Sequence, residues 1–238
     1  KLEQCDFETA FLQSDELPPE EQVLVRLPIG LPRTILERYG WQDGTTLRIK
    51  KPLYGLRKSP LHWNETVTNY LQDQGYSNLD KDYCVFISRD GRHIMLIHVD
   101  DVLMAGNSDV DNVRAKSLIK QRFAIKELGF PKLLLGIEVE QREDGSIFLS
   151  QKKLAQKIME KFQISKTYRT PMESGVKLTE DWSPKTDEEK EQAKHLPYRE
   201  AIGCLNYLGS RTRPGILLAT SLMSRHQSNY GSKHFSCV

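Results

Sequence analysis

Two adjacent carboxylates, Asp100 and Asp101, sit inside an otherwise apolar, strand-forming run, Ile94-Met95-Leu96-Ile97-His98-Val99-Asp100-Asp101-Val102-Leu103-Met104-Ala105-Gly106. Two such groups repel each other, and burial penalises their charged forms. An apolar run therefore excludes them unless a multivalent cation offsets the cost. A second Asp with similar flanks, Asp6 in Gln4-Cys5-Asp6-Phe7-Glu8-Thr9-Ala10-Phe11-Leu12, lies far away in the chain. Three Asp on two strand ends suggest a site for two Mg²⁺ ions and phosphoryl-transfer chemistry. For the pair alone, an Asp-Asp turn between two strands is the competing reading, because Asp is common in turns. The apolar flanks and the matching Asp6 strand favour the metal.

The chain has 238 residues, enough for one large domain or two small ones. It is 38% hydrophobic and 28% charged, so it can bury a core and stay in solution. No apolar stretch reaches the length needed to span a membrane, and there is no signal-peptide pattern. Lys1-Leu2-Glu3 enters an informative strand almost at once and without a Met, which leads us to expect a segment of a longer polypeptide. Net charge is +2, from 34 basic and 32 acidic residues, so only local clustering can speak to nucleic acid. Cys5, Cys84, Cys204 and Cys237 form no C-x-x-C pair, which argues against zinc. Reduced, mostly buried thiols are expected.

Residues 1–12 read as a strand running into a helical turn. Residues 13–45 are rich in Pro, Glu and Gly around a short apolar run at Val23-Leu24-Val25, and Thr46 to Ile49 resumes a strand. Pro52-Leu53-Tyr54-Gly55-Leu56 is a loop by its Pro and Gly. Ser59 as N-cap and Pro60 at the first helical position open a helix. Trp63, Val67, Tyr70 and Leu71 fall on one face of it, and Gly75 closes it. Residues 83–88 and 93–98 read as strands around Arg89-Asp90-Gly91. The Asp pair follows at the apex of a second hairpin, with Val102 to Ala105 outgoing. Ser108 and Asp111 form a capping-box start for a helix reaching about Phe123. Residues 133–140 and 146–150 make a further hairpin over Asp144-Gly145, and a helix spans roughly 151–162. The acidic, Lys-rich stretch 173–194 reads as a mobile linker, followed by helices near 197–209 and 215–226. The order implies an α+β fold with a helical appendage, divided at 1–150 and 151–238.

An ordered series of motifs carries a resemblance. His98-Val99-Asp100-Asp101 resembles the Tyr-x-Asp-Asp box of reverse transcriptases, and Asp6-Phe7-Glu8-Thr9-Ala10-Phe11-Leu12 their first catalytic motif. Leu53-Tyr54-Gly55-Leu56-Arg57-Lys58-Ser59-Pro60, followed by Trp63, is similar to a signature of the copia-type (Pseudoviridae) branch of LTR retrotransposons. So are Lys126-Glu127-Leu128-Gly129, Leu135-Gly136-Ile137-Glu138-Val139, Leu149-Ser150-Gln151, Thr170-Pro171-Met172 and Tyr198-Arg199-Glu200-Ala201-Ile202-Gly203. Thr212-Arg213-Pro214 and Ser224-Arg225 continue it, so the likeness covers nearly the whole chain in the family's order.

The resemblance implies a polymerase-type palm, an antiparallel sheet with packed helices carrying partial fingers elements, followed by a mostly helical thumb or connection. It implies an RNA-directed DNA polymerase that uses two Mg²⁺ ions, or Mn²⁺ in their place. Asp6, Asp100 and Asp101 match the metal ligands. Phe11 matches the aromatic that blocks a ribose 2′-hydroxyl, against a reading as a core Phe. Gly55 would let backbone approach the nascent base pair, against a reading as an ordinary turn glycine. Arg57 and Lys58 beside that loop would meet phosphates or form a solvated pair. Lys126 matches the region where polymerases place a Lys that protonates pyrophosphate. Lys153, Lys157 and Lys161 form a stripe on the 151–162 helix, for template–primer phosphates or for solvent. Trp63 and Tyr70 read as core.

The implied partners are an RNA or DNA template with its primer, dNTPs, and the upstream integrase/fingers and downstream RNase H segments of the same polyprotein. The implied location is intracellular, in a cytoplasmic virus-like particle or the nucleus, with no membrane. Three departures stand out. His98 replaces the usual Tyr beside the primer end, Gly215 replaces a common acidic residue, and the fingers and RNase H residues are absent from these 238 positions. A remnant that binds nucleic acid without polymerising, and an unrelated structural α+β domain, remain as alternatives.

Overall fold

Period-two alternation governs the first half of the chain. Along Asp101–Gly106, Val102, Met104 and Gly106 are buried while Asp101, Leu103 and Ala105 are half-buried, so one face of the strand meets a core. The computed structural model describes residues 1–173 and 175–238, in two units, Lys1–Pro131 and Lys132–Val238.

The first unit runs β1 (Leu2–Phe7), β2 (Leu24–Arg26), α1 (Arg33–Tyr39), β3 (Thr46–Arg48), α2 (Ser59–Asp73), β4 (Tyr76–Leu79), β5 (Asp82–Ser88), β6 (His93–His98), β7 (Asp101–Gly106), α3 (Asp109–Lys120) and β8 (Ile125–Gly129). Six strands form an antiparallel sheet in the order β4-β5-β6-β7-β1-β8. The first strand of the chain is thus seated between β7 and β8. β2 and β3 pair apart from it as a two-stranded ribbon.

Helix α2 buries Trp63, Val67, Tyr70 and Leu71, the face expected from their spacing, together with Thr66. They join Phe7, Phe86, Met95, Val102, Met104 and Phe123 in one core. Each large side chain there contributes about 1.5–3 kcal/mol by leaving water. Phe7, Trp63 and Phe123 meet edge-on at centroid distances of 4.9, 5.5 and 5.4 Å, the geometry their ring quadrupoles favour. Ser108 and Asp111 close the expected capping box on α3. A Cβ at Gly106 would lie 2.6 Å from Asn112 Oδ1, so only glycine lets β7 run this closely into α3.

The helix start at Ser59 differs from expectation. Ser59 is itself helical and Pro60 stands at the second position. The Ser59 hydroxyl donates to the Leu53 carbonyl at 2.6 Å, tying down the loop before the helix instead of capping it. The cysteines are all free, but only Cys5 is buried; the other three are half-buried, Cys84 near the start of β5 and Cys204 and Cys237 in the second unit.

The second unit begins with β9 (Leu133–Leu134), β10 (Ile137–Gln141) and β11 (Ile147–Ser150), a three-stranded sheet in the order β11-β10-β9. Then come α4 (Lys152–Lys161), α5 (Asp187–Lys194), α6 (Tyr198–Arg211), α7 (Leu217–Ser224) and α8 (Ser232–Phe235). Tyr198, Ile202, Ala219 and Met223 form its core, with the Tyr198 hydroxyl donating to the Met223 carbonyl at 2.7 Å. The division falls at 131/132 rather than at the expected 150/151, because the 133–150 strands pair only among themselves. Of the linker expected over 173–194, residue 174 lies outside the described residues, and Asp187–Lys194 is helix. A Thr186–Glu189 capping box and an acidic first turn start that helix, which offsets its lack of an apolar stripe.

Candidate active site

The antiparallel register draws four residues singled out in the sequence into one rung. His98 pairs with Asp101, Asp101 with Asp6, and Asp6 with Lys126, across β6, β7, β1 and β8. Directly opposed residues project from the same face of a sheet, so these side chains stand side by side. Their sequence neighbours Ile97, Val102, Cys5 and Phe7 are buried on the other face, which fixes the rung's direction.

Asp100 occupies the two-residue loop between β6 and β7. Its neighbour Val99 has φ +55°, a conformation that costs a β-branched residue about 1–2 kcal/mol. Two hydrogen bonds hold the loop there. The Trp63 indole donates to the Val99 carbonyl at 2.8 Å, and the Phe7 amide donates to the Asp100 carbonyl at 2.7 Å. The strained turn is therefore clamped by α2 on one side and the end of β1 on the other.

The carboxylates sense one another. The Asp6 pKa is raised, first by burial and then by the charges of Asp100 and Asp101, with Lys126 opposing. Asp101 Oδ1 accepts from the Gln4 side-chain amide at 3.2 Å. The Tyr54 hydroxyl lies 3.1 and 3.3 Å from the two Asp100 carboxylate oxygens. Among the described residues, no three His, Cys, Asp or Glu side chains close into a metal-holding group. What is present is an oxygen-only set of neighbouring carboxylates whose mutual repulsion a cation would relieve. That donor chemistry fits Mg²⁺, which takes a few carboxylates and draws its other ligands from water and phosphate.

Phe11 sits on a 3-10 turn, Ala10–Gln13, just beyond β1. It is 7% exposed and belongs to the core, with its ring 4.5 Å from that of Tyr54. Gly55 has φ +94° and is exposed; a Cβ there would meet nothing, so it is backbone conformation that selects glycine. Arg57 is exposed, whereas Lys58 pairs with Glu21 at 2.7 Å. In the second unit, Lys153, Lys157 and Lys161 are all exposed on α4. Lys153 reaches Glu138 at 3.6 Å and Lys161 pairs with Glu200, so only Lys157 of the stripe has no ion pair among the described residues.

Sequence reasoning passed over Tyr54, Gln4 and the second role of Trp63. Tyr54 stood inside a quoted motif, and a phenol beside a positive-φ glycine was its available signal. Gln4 and Trp63 carry no local signal, since the bonds they make depend on strand order.

The family model for reverse transcriptase (RNA-dependent DNA polymerase) matches residues 1–174. The chain belongs to the reverse transcriptase family. This reverse transcriptase chain is 30% identical to the retrovirus-related Pol polyprotein from transposon TNT 1-94 of Nicotiana tabacum, over 100% of the chain and 18% of that protein. It is 29% identical to the Pol polyprotein from transposon RE2 of Arabidopsis thaliana, over 100% of the chain and 15% of that protein. A putative transposon Ty5-1 protein of Saccharomyces cerevisiae is 28% identical over 92% of the chain and 68% of its own length. The chain thus spans less than a fifth of the tobacco and Arabidopsis polyproteins. The copia-type resemblance read from the motifs holds across these relatives. Among solved structures, a foamy viral protease–reverse transcriptase in complex with RNA/DNA hybrid is similar at 13% identity and a TM-score of 0.47, over 99% of this chain and 26% of that one.

Proposed function

We propose that this reverse transcriptase chain carries the polymerisation centre of a retrotransposon Pol polyprotein and extends a primer by attack of its 3′-hydroxyl on the α-phosphate of a dNTP. The His98–Asp101–Asp6–Lys126 rung, with Asp100 beside it, supports this reading most. Asp6, Asp100 and Asp101 would hold the metal. Two Mg²⁺ ions, or Mn²⁺, would when bound acidify the attacking hydroxyl and neutralise charge building on the phosphates.

The other residues then take ordinary roles. Lys126, next to Asp6, supplies a proton to the leaving pyrophosphate. Phe11 leaves no room for a ribose 2′-oxygen. Gly55 lets backbone come close to the new base pair, and His98 meets the primer end. Arg57 and Lys157 face backbone phosphates, and Lys58, Lys153 and Lys161 do so only after exchanging Glu21, Glu138 and Glu200 for them. The first unit serves as palm with partial fingers elements, and the second as thumb or connection. Template and primer, dNTPs, and the other segments of a polyprotein such as integrase and RNase H are its partners, within an intracellular virus-like particle or the nucleus.

The test is extension of oligo(dT) on poly(rA) with Mg²⁺, beside Asp100→Asn. The chain is assayed alone and fused to the segment that precedes the matched region in the tobacco polyprotein. Product that depends on Asp100 is expected. Salt-sensitive binding to primer–template without product in either form would replace this reading with a binding-only one.

A further inference from the structure

Tyr54 has no role in the reading above, yet it touches two of its central residues. Its hydroxyl lies 3.1 and 3.3 Å from the oxygens of Asp100, so one proton is shared between both. Its ring leans on Phe11 at a centroid distance of 4.5 Å. It thereby covers the ground between a metal-binding carboxylate and the sugar-selecting ring. Despite those contacts Tyr54 is 53% exposed, so nothing encloses it.

The loop around it is built unevenly. On the far side, the Ser59 hydroxyl and the Leu56 amide both donate to the Leu53 carbonyl, anchoring the loop to α2. Immediately after Tyr54 comes Gly55 at φ +94°, with open space where a side chain would be. A glycine there has access to backbone conformations closed to other residues. Asp100, by contrast, is fixed through its backbone by Phe7. The mobile partner of the Tyr54–Asp100 contact is therefore Tyr54.

We propose that Tyr54 is a latch on Asp100: in the nucleotide-free protein it holds that carboxylate and covers Phe11, and it swings aside when Asp100 takes a divalent cation. This rests on the assignment of Asp100 as a metal-binding residue. A shared hydroxyl on a solvent-facing carboxylate is a modest bond, strong enough to orient the group and weak enough to be displaced. Cation binding must break it, so the latch lowers the cation affinity of the free protein.

The test is Mn²⁺ binding followed by electron paramagnetic resonance on the nucleotide-free chain, for wild type, Tyr54→Phe and Asp100→Asn. Tyr54→Phe keeps the ring on Phe11 and removes only the hydroxyl; its thermal midpoint confirms that it folds. We expect Mn²⁺ to bind Tyr54→Phe about three- to tenfold more tightly than wild type, the size of one modest, solvent-facing hydrogen bond. Asp100→Asn should lose that binding. Equal or weaker binding by Tyr54→Phe, with Asp100-dependent binding intact, overturns the latch alone. No Asp100-dependent binding in any form overturns the metal assignment together with the latch. As a second readout, 3-fluorotyrosine at position 54 should shift its ¹⁹F resonance on adding Mg²⁺ to wild type and not to Asp100→Asn; a static signal in both overturns the swing.

Discussion

The Trp63 indole donates to the Val99 carbonyl at 2.8 Å, so a helix in the core holds the strained turn that presents Asp100. Trp63→Phe keeps an aromatic in the Phe7–Phe123 cluster and leaves that carbonyl without its partner. We expect a stability loss of about 1–3 kcal/mol in urea unfolding. The extension rate should fall further than the lost folded fraction explains, because Asp100 is no longer fixed. Equal loss of rate and folded fraction would show that the bond serves the core and not the turn.

Asp6 is costly to the fold. Its pKa is raised in the native state by burial and by Asp100 and Asp101. Between its ordinary and its raised value the native state therefore holds more protons than the unfolded one, and stability falls as pH rises through that window. Above it the penalty is complete. Asp6→Asn should thus be more stable than wild type at neutral pH, an advantage that shrinks as pH drops through that window and is gone below the ordinary carboxylate value. Extension should fall by at least about a hundredfold, given the several kcal/mol that metal-assisted charge stabilisation supplies. Matched pH series of thermal midpoints read the first effect and primer extension the second.

A separate ion cluster knits α3 to β1 and β8. The Lys116 ammonium lies 2.6 Å from Glu3 and 2.8 Å from Glu127, and Lys120 also pairs with Glu127. Hydrogen bonds from Lys116 and Lys120 pull the Glu127 pKa from 4.5 to about 2, while Glu127 and Glu3 raise that of Lys116. A depressed carboxylate contributes stability that is full above its unfolded value and fades as pH falls toward 2. Lys116→Met should cost about 1 kcal/mol at pH 7, the partial exposure of Glu127 screening the rest. The gap between variant and wild type should narrow from pH 5 to pH 2 in acid titrations of ellipticity.

Phe11→Val opens the space beside Tyr54 while keeping an apolar residue on the turn. The ratio of kcat/KM for dNTP over rNTP should drop about 10- to 200-fold, the range one steric contact commands. An unchanged ratio with lowered stability would assign Phe11 to the core alone.

Several features were legible in the sequence because they are local. The buried face of α2 follows from the spacing of Trp63, Val67, Tyr70 and Leu71, and the start of α3 from Ser108 and Asp111. The β6–β7 hairpin follows from an apolar run broken by one polar pair. What escaped detection lacks such a signal. Helix α1 buries no residue, and its Ile35, Leu36 and Tyr39 span only two turns, too short a pattern to read. Strand β8, Ile-Lys-Glu-Leu-Gly, is an exposed edge with little alternation to read. The candidate site divides the same way. Its Asp residues stood out by their charge in apolar surroundings, but their shared rung depends on strand order, which no local pattern encodes. In the sequence Lys126 is only a charge shortly before Leu128-Gly129, and it lies opposite Asp6 because β8 closes the sheet beside β1.

The seating of β1 between β7 and β8 has a consequence for biogenesis. Strand β1 leaves the ribosome more than ninety residues before either of its sheet partners. At cellular elongation rates it waits on the order of ten seconds with both edges bare. During that interval Cys5 and Phe7 have no sheet to join, and the nascent chain is open to strand exchange with its neighbours. Where several copies are made close together, correct assembly of this centre is a race between synthesis of β7 and β8 and capture of β1 by another molecule.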